Sequence, residues 1–430
     1  MVVTRQETIR SRLGNSQAPQ ETLNISYLVR TSFGTSFGTS MRTYEKTHPW
    51  ITFTLDLGQA HYRLWLLLGD AQAKCQYLAG VPLLPSVAEK LYRVFLAKGV
   101  LATTAIEGNT LTEEQVMKRI DGELHLPPSK EYLGQEIDNI VEACNTIGQR
   151  ILEGHPAPLS IDELKEFNRL ALEHLPVGEE VIPGKIRSHE VVVGTYKGAP
   201  PADCEYLTHR LCEWLVEDFN PPSGYEVGFG ILRAILAHLY LAWIHPFADG
   251  NGRTARLAEF EILLSVGVPA TAAHLLSNHY NQTRTEYYRH LDISRRSGGD
   301  VFPFFLYALQ GFVDGLDDQI KTVREQQLHV HWINYIHDMF RDKDSPSDIR
   351  RRRLVIDLSE HHEPVPIGEV RRVSARIAEA YATKGAKTLS RDVNKLLALG
   401  LIEKTLEGIR ARRETMRAFL PPSAGLADGG

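Results

Sequence analysis

Helical periodicity dominates the chain from about residue 59 to residue 341. Apolar residues recur there at every third or fourth position, and Gly and Pro residues interrupt the pattern at intervals. The predicted helices cover residues 59–80, 84–107, 112–119, 131–153, a segment after the N-cap Ser160, 202–217, 226–243, 252–266, 274–295 and 302–341. Residues 49–57 are typical of a strand, and the run Val191–Val193 with Gly194 and Gly198 predicts a hairpin. We therefore expect a mainly α-helical bundle with a few short strands.

The two ends of the chain have a different pattern. Residues 1–48 are polar, contain the repeat T-S-F-G-T-S-F-G-T-S, and are expected to be poorly ordered. The run D-K-D-S-P-S at 342–347 marks a boundary. Beyond it, a helix after Ser347, helices at 367–384 and 388–399, and a final hairpin resemble a winged helix. The predicted organisation is a poorly ordered segment (1–48), a helical region (49–150), a helical core (151–341) and a winged-helix-like domain (346–420).

One loop of twelve residues, H-P-F-A-D-G-N-G-R-T-A-R at 245–256, lies between two of the predicted helices. It leads into the N-terminus of the second helix, where free backbone N–H groups and the helix dipole favour an anion. Gly250 and Gly252 allow the backbone to approach a ligand closely. Arg253 and Arg256, three positions apart, share a helix face and supply forked donors. The loop therefore predicts a site for a phosphate-rich ligand.

Two further side chains of this loop have the chemistry for a reaction at phosphate. Asp249 is a hard oxygen ligand of the kind that Mg²⁺ uses beside substrate phosphates. His245 is the group of the loop that accepts a proton near neutral pH. Phe247 is apolar in a polar loop and is expected to anchor it in the core, while Pro246 fixes the turn.

The run resembles the signature of the Fic family, H-P-F-x-D-G-N-G-R-x-x-R, at all nine fixed positions. The resemblance implies transfer of AMP from ATP to a Ser, Thr or Tyr hydroxyl of a target protein. The related Doc branch, which phosphorylates, departs from the Gly-Asn-Gly-Arg pattern that this chain keeps. By resemblance, His245 is catalytic and Asp249 holds Mg²⁺. The resemblance assigns nucleotide binding to Phe247, Gly250, Asn251, Gly252, Arg253 and Arg256.

A second motif, T-T-A-I-E-G at 103–108, lies near the end of a predicted helix. Thr103 and Glu107 are four residues apart on one face, and Gly108 is placed to cap the helix. The motif resembles the inhibitory sequence of Fic proteins, [S/T]-x-x-x-E-[G/N]. The resemblance implies that Glu107 pairs with Arg256 and keeps the γ-phosphate from its productive position.

Two looser similarities concern the surroundings of the loop. Val192, Val193, Gly194 and Thr195 match the position of a flap that clamps the target backbone by strand addition, and a plain surface hairpin is the alternative. Asn281, Tyr287 and Tyr288 match residues placed near the nucleotide base, although tyrosines at helical spacing are more often core residues.

Composition is that of an ordinary soluble protein, with 43% apolar and 23% charged residues. We expect no apolar run to be long enough and free enough of charge to span a bilayer, and the N-terminus lacks the apolar segment of a signal peptide. The four cysteines lack the C-x-x-C spacing of a zinc or redox site and fit a reduced cytoplasm. We expect a cytoplasmic protein with ATP as co-substrate and Mg²⁺ as its metal.

The C-terminal region differs in charge from the rest. Residues 346–420 contain 16 Lys and Arg against 10 Asp and Glu, a net charge of +6, whereas the remainder carries −11. If the region binds DNA, the predicted helix 388–399 would present Ser390, Arg391, Asn394 and Lys395. The alternative is a protein-contact or dimerisation element. The expected partners are thus a target protein, which includes the chain itself, DNA, and a second copy in a homodimer.

Several functions remain open at this level. The same site would also serve a de-AMPylase, in which Glu107 orients water, or the transfer of UMP or phosphate. A DNA-binding regulator that uses nucleotide binding as a switch is an alternative from another class, as is a complex with a separate DNA-binding partner.

Overall fold

The computed structural model describes residues 41–154, 158–217, 219, 221–361 and 363–417, and the prediction of a mainly α-helical protein is confirmed. The helices are α1 Thr43–Thr47, α2 Tyr62–Gly80, α3 Pro85–Ala105, α4 Glu113–Ile120, α5 Glu131–Leu152, α6 Ile161–Leu172, α7 Pro201–Glu217, α8 Glu226–Ile244, α9 Asn251–Ser265, α10 Leu275–Gln282, α11 Arg284–Arg296, α12 Phe302–Met339, α13 Pro346–Ser359, α14 Ala375–Tyr381 and α15 Ala386–Ala398. The strands are β1 Val192–Val193, β2 Tyr196–Lys197, β3 Ile402–Lys404 and β4 Ile409–Ala411.

Helix α8 forms the centre of the large bundle. Its residues are apolar on all sides, most of them are fully buried, and it packs extensively against α9. Contrary to the sequence expectation, α8 is long and apolar enough to cross a membrane, but 78% of it is buried inside the protein. That burial is typical of the core helix of a bundle.

The segment 49–57, predicted as a strand, is irregular. Phe53 has φ +50, which interrupts an extended backbone, and a short 3₁₀ turn follows at Leu57–Gln59. The Phe53 ring packs against Trp214 and Tyr240, with centroids 5.9 and 5.2 Å apart. Aromatic packing on the helices therefore holds this segment, and no partner strand lies beside it within the described residues.

Two predicted helices are shorter than expected. The range 274–295 divides into α10 and α11 at Thr283, whose backbone leaves the helical region at φ −117° and ψ 40°. The range 367–384 contains only α14 and a 3₁₀ turn at Val370–Arg372. Ser374 caps α14 by accepting the N–H of Ile377 at 3.2 Å, so the helix starts late.

Of residues 1–48, which were predicted to be poorly ordered, residues 1–40 lie outside the described residues. Residues 41–48 are described and include helix α1. Helix α1 is held because the carboxylate of Asp203 accepts the Tyr44 N–H at 2.9 Å and pairs with Arg42 at 3.4 Å.

The C-terminal elements have an apolar core of their own. Helices α13, α14 and α15 and the antiparallel pair β3–β4 enclose buried Leu354, Ile377, Leu396 and Ile409, and the end of α12 contributes Trp332. Val365 pairs with Ile409 and extends the small sheet. The predicted final hairpin is therefore present, with its turn at residues 405–408.

Candidate functional site

The loop 245–250 joins the C-terminus of α8 to the N-terminus of α9. Helix α8 ends because His245 adopts φ +53, while its N–H still donates to Leu241 at 2.9 Å. Gly250 precedes α9 at φ +75, and a Cβ there would lie 2.9 Å from Nδ2 of Asn168. Glycine is required at this position both by conformation and by space. The chain thus turns sharply and places His245 and the first turn of α9 side by side.

Asn251 fixes the shape of the loop from within. Its Oδ1 accepts the N–H of Phe247 at 2.9 Å, and its Nδ2 donates to the Phe247 carbonyl at 2.8 Å. Phe247 itself is 1% exposed in the core, as expected for an anchor. We predicted that Asn251 binds phosphate. Because its side chain is hydrogen-bonded within the loop, the group of Asn251 that remains for a phosphate oxygen is its backbone N–H at the start of α9.

Arg187, which the sequence analysis missed, joins the segment that leads into the β1–β2 hairpin to the loop 245–250. Its Nε donates to the His245 carbonyl at 2.7 Å, its Nη1 donates to the His189 carbonyl at 2.6 Å, and its Nη2 donates to the carbonyl of Ala199. A Cβ at Gly198 would lie 2.9 Å from Arg187 and 3.0 Å from His245. The base of the flap and the imidazole are thus held as one unit.

His245 is in its proton-accepting form at neutral pH. Burial, together with the nearby charge of Arg187, lowers the pKa of its imidazole to about 4, against the opposing effects of a backbone hydrogen bond at Ala242 and of the carboxylates of Glu107 and Asp249. A neutral imidazole beside a phosphate site is suited to accept the proton of an attacking hydroxyl.

Glu107 contacts Arg256 directly. Nη2 of Arg256 donates to Oε1 of Glu107 at 2.6 Å and to the carbonyl of Thr103 at 2.9 Å. The Thr103 carbonyl lies in the last turn of α3, where a carbonyl has no hydrogen-bond partner within the helix, and it is therefore free to accept from Arg256. Burial alone would raise the pKa of Glu107, but the charge and hydrogen bond of Arg256 outweigh it and hold that pKa below its usual value. The pair is therefore ionised.

The carboxylate of Glu107 also lies against Gly252 in the first turn of α9, where a Cβ would overlap its Oε1. Gly108 allows this approach, since the chain turns away from α3 there at φ +108. An internal anion thus occupies the position at the helix N-terminus that the sequence analysis assigned to phosphate.

Arg253 has a carboxylate partner that the sequence analysis also missed. Its Nη1 donates to Oε1 of Glu136 in α5 at 2.9 Å, and the other oxygen of Glu136 accepts from Nδ2 of Asn109 at 2.8 Å. Asn109 follows the inhibitory motif by one residue, so the same turn that carries Glu107 also contacts the partner of Arg253.

Both arginines keep unused donors. Nε of Arg253 and both Nε and Nη1 of Arg256 are buried without a hydrogen-bond partner among the described residues. A buried guanidinium N–H without an acceptor is costly, so a ligand rich in oxygen atoms fits this surface.

Asp249 is the group of the site that is placed for a metal ion. Its side chain is 50% exposed, and Oδ1 already accepts the N–H of Gly250 at 2.5 Å. The described residues contain no cluster of three or more His, Cys, Asp or Glu side chains that would hold a metal alone. Oδ1 also accepts from Nη2 of Arg253 at 3.4 Å, and the half-exposed carboxylate fits a cation that takes its other ligands from substrate phosphates and water.

The flap is a two-residue hairpin at the edge of the site. Val192 and Val193 pair with β2, and Gly194 at φ +58 with Thr195 forms the turn. Val192 and Val193 are 62% and 45% exposed, and within the described residues β1 pairs only with β2, so its other edge is unpaired.

The three residues predicted to contact the nucleotide base have different environments. Tyr287 is buried, which raises the pKa of its hydroxyl, and this hydroxyl lies 2.8 Å from Nε2 of His238 in the core. Tyr288 is on the surface at 45% exposure, and Asn281 is half-buried. Contact with a nucleotide base stays a prediction for these residues.

Comparisons with known proteins show which family part of the chain resembles. Residues 158–263 match the Fic/DOC family. The chain is 32% identical over 208 residues to protein adenylyltransferase fic-1 of Caenorhabditis briggsae, covering 48% of this chain and 38% of that protein. It is 29% identical over 242 residues to protein adenylyltransferase Fic of Nematostella vectensis, covering 56% and 53%. The chain thus spans about half or less of the length of these relatives.

A solved Fic family protein from Desulfovibrio desulfuricans G20 shares the fold, with a TM-score of 0.50 at 22% identity over 80% of this chain and 91% of that one. Residues 158–263 of this chain therefore match the Fic/DOC family, and the chain shares the fold of a solved member of that family.

Proposed function

We propose that the protein is an adenylyltransferase that moves AMP from ATP to a Ser, Thr or Tyr hydroxyl of a target protein, with Glu107 as its inhibitor. One observation supports the proposal above all. The neutral imidazole of His245 and two buried arginines with unused donors, Arg253 and Arg256, lie around the N-terminus of α9. The relatives named adenylyltransferases support the same reaction.

In the proposed reaction the hydroxyl of the target gives its proton to the ring of His245 as its oxygen bonds to the α-phosphorus of ATP. The bond to the bridging oxygen breaks, and pyrophosphate leaves. Arg253 and Arg256 hold the β- and γ-phosphates, and the N–H groups at the start of α9 face the charge that builds on the α-phosphate. Mg²⁺ bound at Asp249 would offset the phosphate charge. Most of the rate then comes from positioning and electrostatics.

The flap gives the target a place to bind. The unpaired edge of β1 suits strand addition by an extended segment of the target, which would bring its hydroxyl to the imidazole. This role is part of the proposal and rests on the exposure of Val192 and Val193.

The position of the radiolabel on ATP tests which group is transferred. With the Glu107→Gly variant and Mg²⁺, protein labelled from α-³²P ATP but not from γ-³²P ATP is the expected result. Labelling from the γ-position would replace AMP transfer by phosphorylation, and the absence of both would remove the proposed activity.

Glu136 provides a separate test of the arginine positions. Glu136→Gln removes the charge that holds Arg253, so in the Glu107→Gly background we expect the KM for ATP to rise by about tenfold, because a charge-assisted hydrogen bond stabilises by about 1.5–3 kcal/mol. Steady-state AMP transfer at varied ATP measures this. Glu142→Gln, on the same helix, is the matched control and should leave the KM unchanged. An activity increase instead would show that Glu136 blocks Arg253 rather than positions it.

The reverse reaction is a second candidate. Glu107 is held ionised beside the site, so its carboxylate is able to orient a water molecule toward an AMP already attached to a target. Wild-type protein that removes AMP from protein labelled by Glu107→Gly, while Glu107→Gly does not, would establish this activity.

A further inference from the structure

Helix α15 presents one continuous polar face to solvent. The exposed residues recur at the spacing of a single helical stripe and are Lys387, Ser390, Arg391, Asn394, Lys395 and Ala398. Leu396 on the opposite side is fully buried in the C-terminal core. The face is thus set by the packing of the helix and is not covered by any other described part of the chain.

The acidic residue of this helix is turned inward and neutralised. Asp392 is 1% exposed, and its oxygens accept from Nε of Arg350 at 2.7 Å and from Nε of Arg351 at 2.8 Å. The hydroxyl of Tyr381 donates to the same carboxylate at 2.9 Å. The exposed stripe therefore contains cationic, amide and hydroxyl groups and no carboxylate.

The cationic side chains of this stripe also have no ion-pair partner among the described residues. Within the described residues, no carboxylate lies within ion-pair distance of Lys387, Arg391 or Lys395. By contrast, Arg410 of the β3–β4 hairpin pairs with Glu403 at 2.6 Å. The exposed face of α15 therefore has positive charge that no carboxylate of the described residues neutralises.

The arrangement around α15 fits a groove of duplex DNA. Helix α14 ends at Tyr381, four residues form a turn, and α15 follows, with Val365 and β3–β4 completing a small sheet beside them. This order of helix, strand, helix, helix and hairpin is that of a winged helix. At 13 residues α15 is about 20 Å long, and the major groove of B-form DNA accepts an α-helix.

We propose that the C-terminal elements bind double-stranded DNA with the exposed face of α15 in the major groove. Arg391 and Asn394, in the middle of the face, have the donors and acceptors that read guanine and adenine edges, while Lys387 and Lys395 contact phosphates. The remainder of the chain carries −11 and repels DNA, which confines binding to this end. This function is independent of the proposed AMP transfer.

Fluorescence anisotropy of a labelled mixed-sequence DNA duplex with the full-length protein tests the proposal, at salt concentrations from about 50 to about 200 mM. The wild type should bind with an affinity that falls with salt. The triple variant Lys387→Gln, Arg391→Gln, Lys395→Gln should bind at least about tenfold more weakly. Loss of the phosphate contacts of Lys387 and Lys395 should lower the salt slope by about two. Since all three side chains are exposed, the fold should survive, which circular dichroism checks.

The matched control removes three exposed charges from the large bundle by Lys90→Gln, Lys130→Gln and Lys321→Gln, and should leave binding unchanged. An A-form RNA duplex should bind more weakly, because its major groove is too narrow for a helix. His245→Ala should bind DNA like the wild type, which separates this function from catalysis. No binding by the wild type at about 50 mM salt, equal loss in both triple variants, or preference for RNA would overturn the proposal.

Discussion

Replacing Glu107 with Gly is expected to raise AMP transfer onto protein by about tenfold to a hundredfold over the wild type. The substitution frees Arg256 from a 2.6 Å ion pair and empties the space above Gly252, so that a triphosphate can reach both. A charge-assisted hydrogen bond of about 1.5–3 kcal/mol accounts for a change of this size. Incorporation of label from α-³²P ATP, with the protein as its own target, is the measurement.

The matched control is Glu123→Gly, which removes an exposed glutamate of the same region. It should label like the wild type, and Glu107→Gln should fall between the two because it keeps a hydrogen bond but not the charge. Equal labelling of Glu107→Gly and wild type would show that the Glu107–Arg256 contact does not limit the reaction.

The second large effect is expected from His245. In the Glu107→Gly background, His245→Ala should lower AMP transfer by about 10²- to 10⁴-fold, the usual contribution of a positioned general base. The affinity for ATP should change little, since the arginines and the N-terminus of α9 remain. Single-turnover labelling measures the rate, and isothermal titration calorimetry measures binding.

His209 serves as the control for this experiment. It is a surface histidine of α7 with a side chain 61% exposed, and His209→Ala in the same background should leave the rate unchanged. A His245→Ala variant that retains the full rate would mean that another group, or bulk water, takes the proton.

The elements around the site could be predicted because their signals are local. The apolar helix α8, the Gly-rich turn and the arginines of α9 lie within a few residues of one another, and Glu107 stands four positions after Thr103 on α3. Local periodicity and turn chemistry therefore sufficed for the bundle, the loop and the flap hairpin.

The contacts that the sequence did not predict join distant parts of the chain. Glu136 is 117 residues from Arg253, and Arg187 is 58 residues from His245. Both look like ordinary surface charges in their own helix or loop, and only the packing of α5 and of the flap segment brings them to the site. No local pattern distinguishes such residues.

The wrong predictions have the same origin. The β-branched and aromatic run at 49–57 is typical of a strand, but its rings pack onto α7 and α8, and this tertiary packing overrides local propensity. The hydrogen bonds between the Asn251 side chain and the backbone of Phe247 were likewise not predicted, and a role of Asn251 in nucleotide binding stays a prediction.

A crystal structure of the Glu107→Gly variant with Mg²⁺ and α,β-methylene ATP, which the enzyme cannot cleave, tests the central claim most directly. We predict the triphosphate at the N-terminus of α9, with its β- and γ-phosphates on Arg253 and Arg256 and its α-phosphorus facing His245. A nucleotide bound elsewhere, or one in this loop whose α-phosphorus lies beyond the reach of a hydroxyl hydrogen-bonded to His245, would contradict the proposed function.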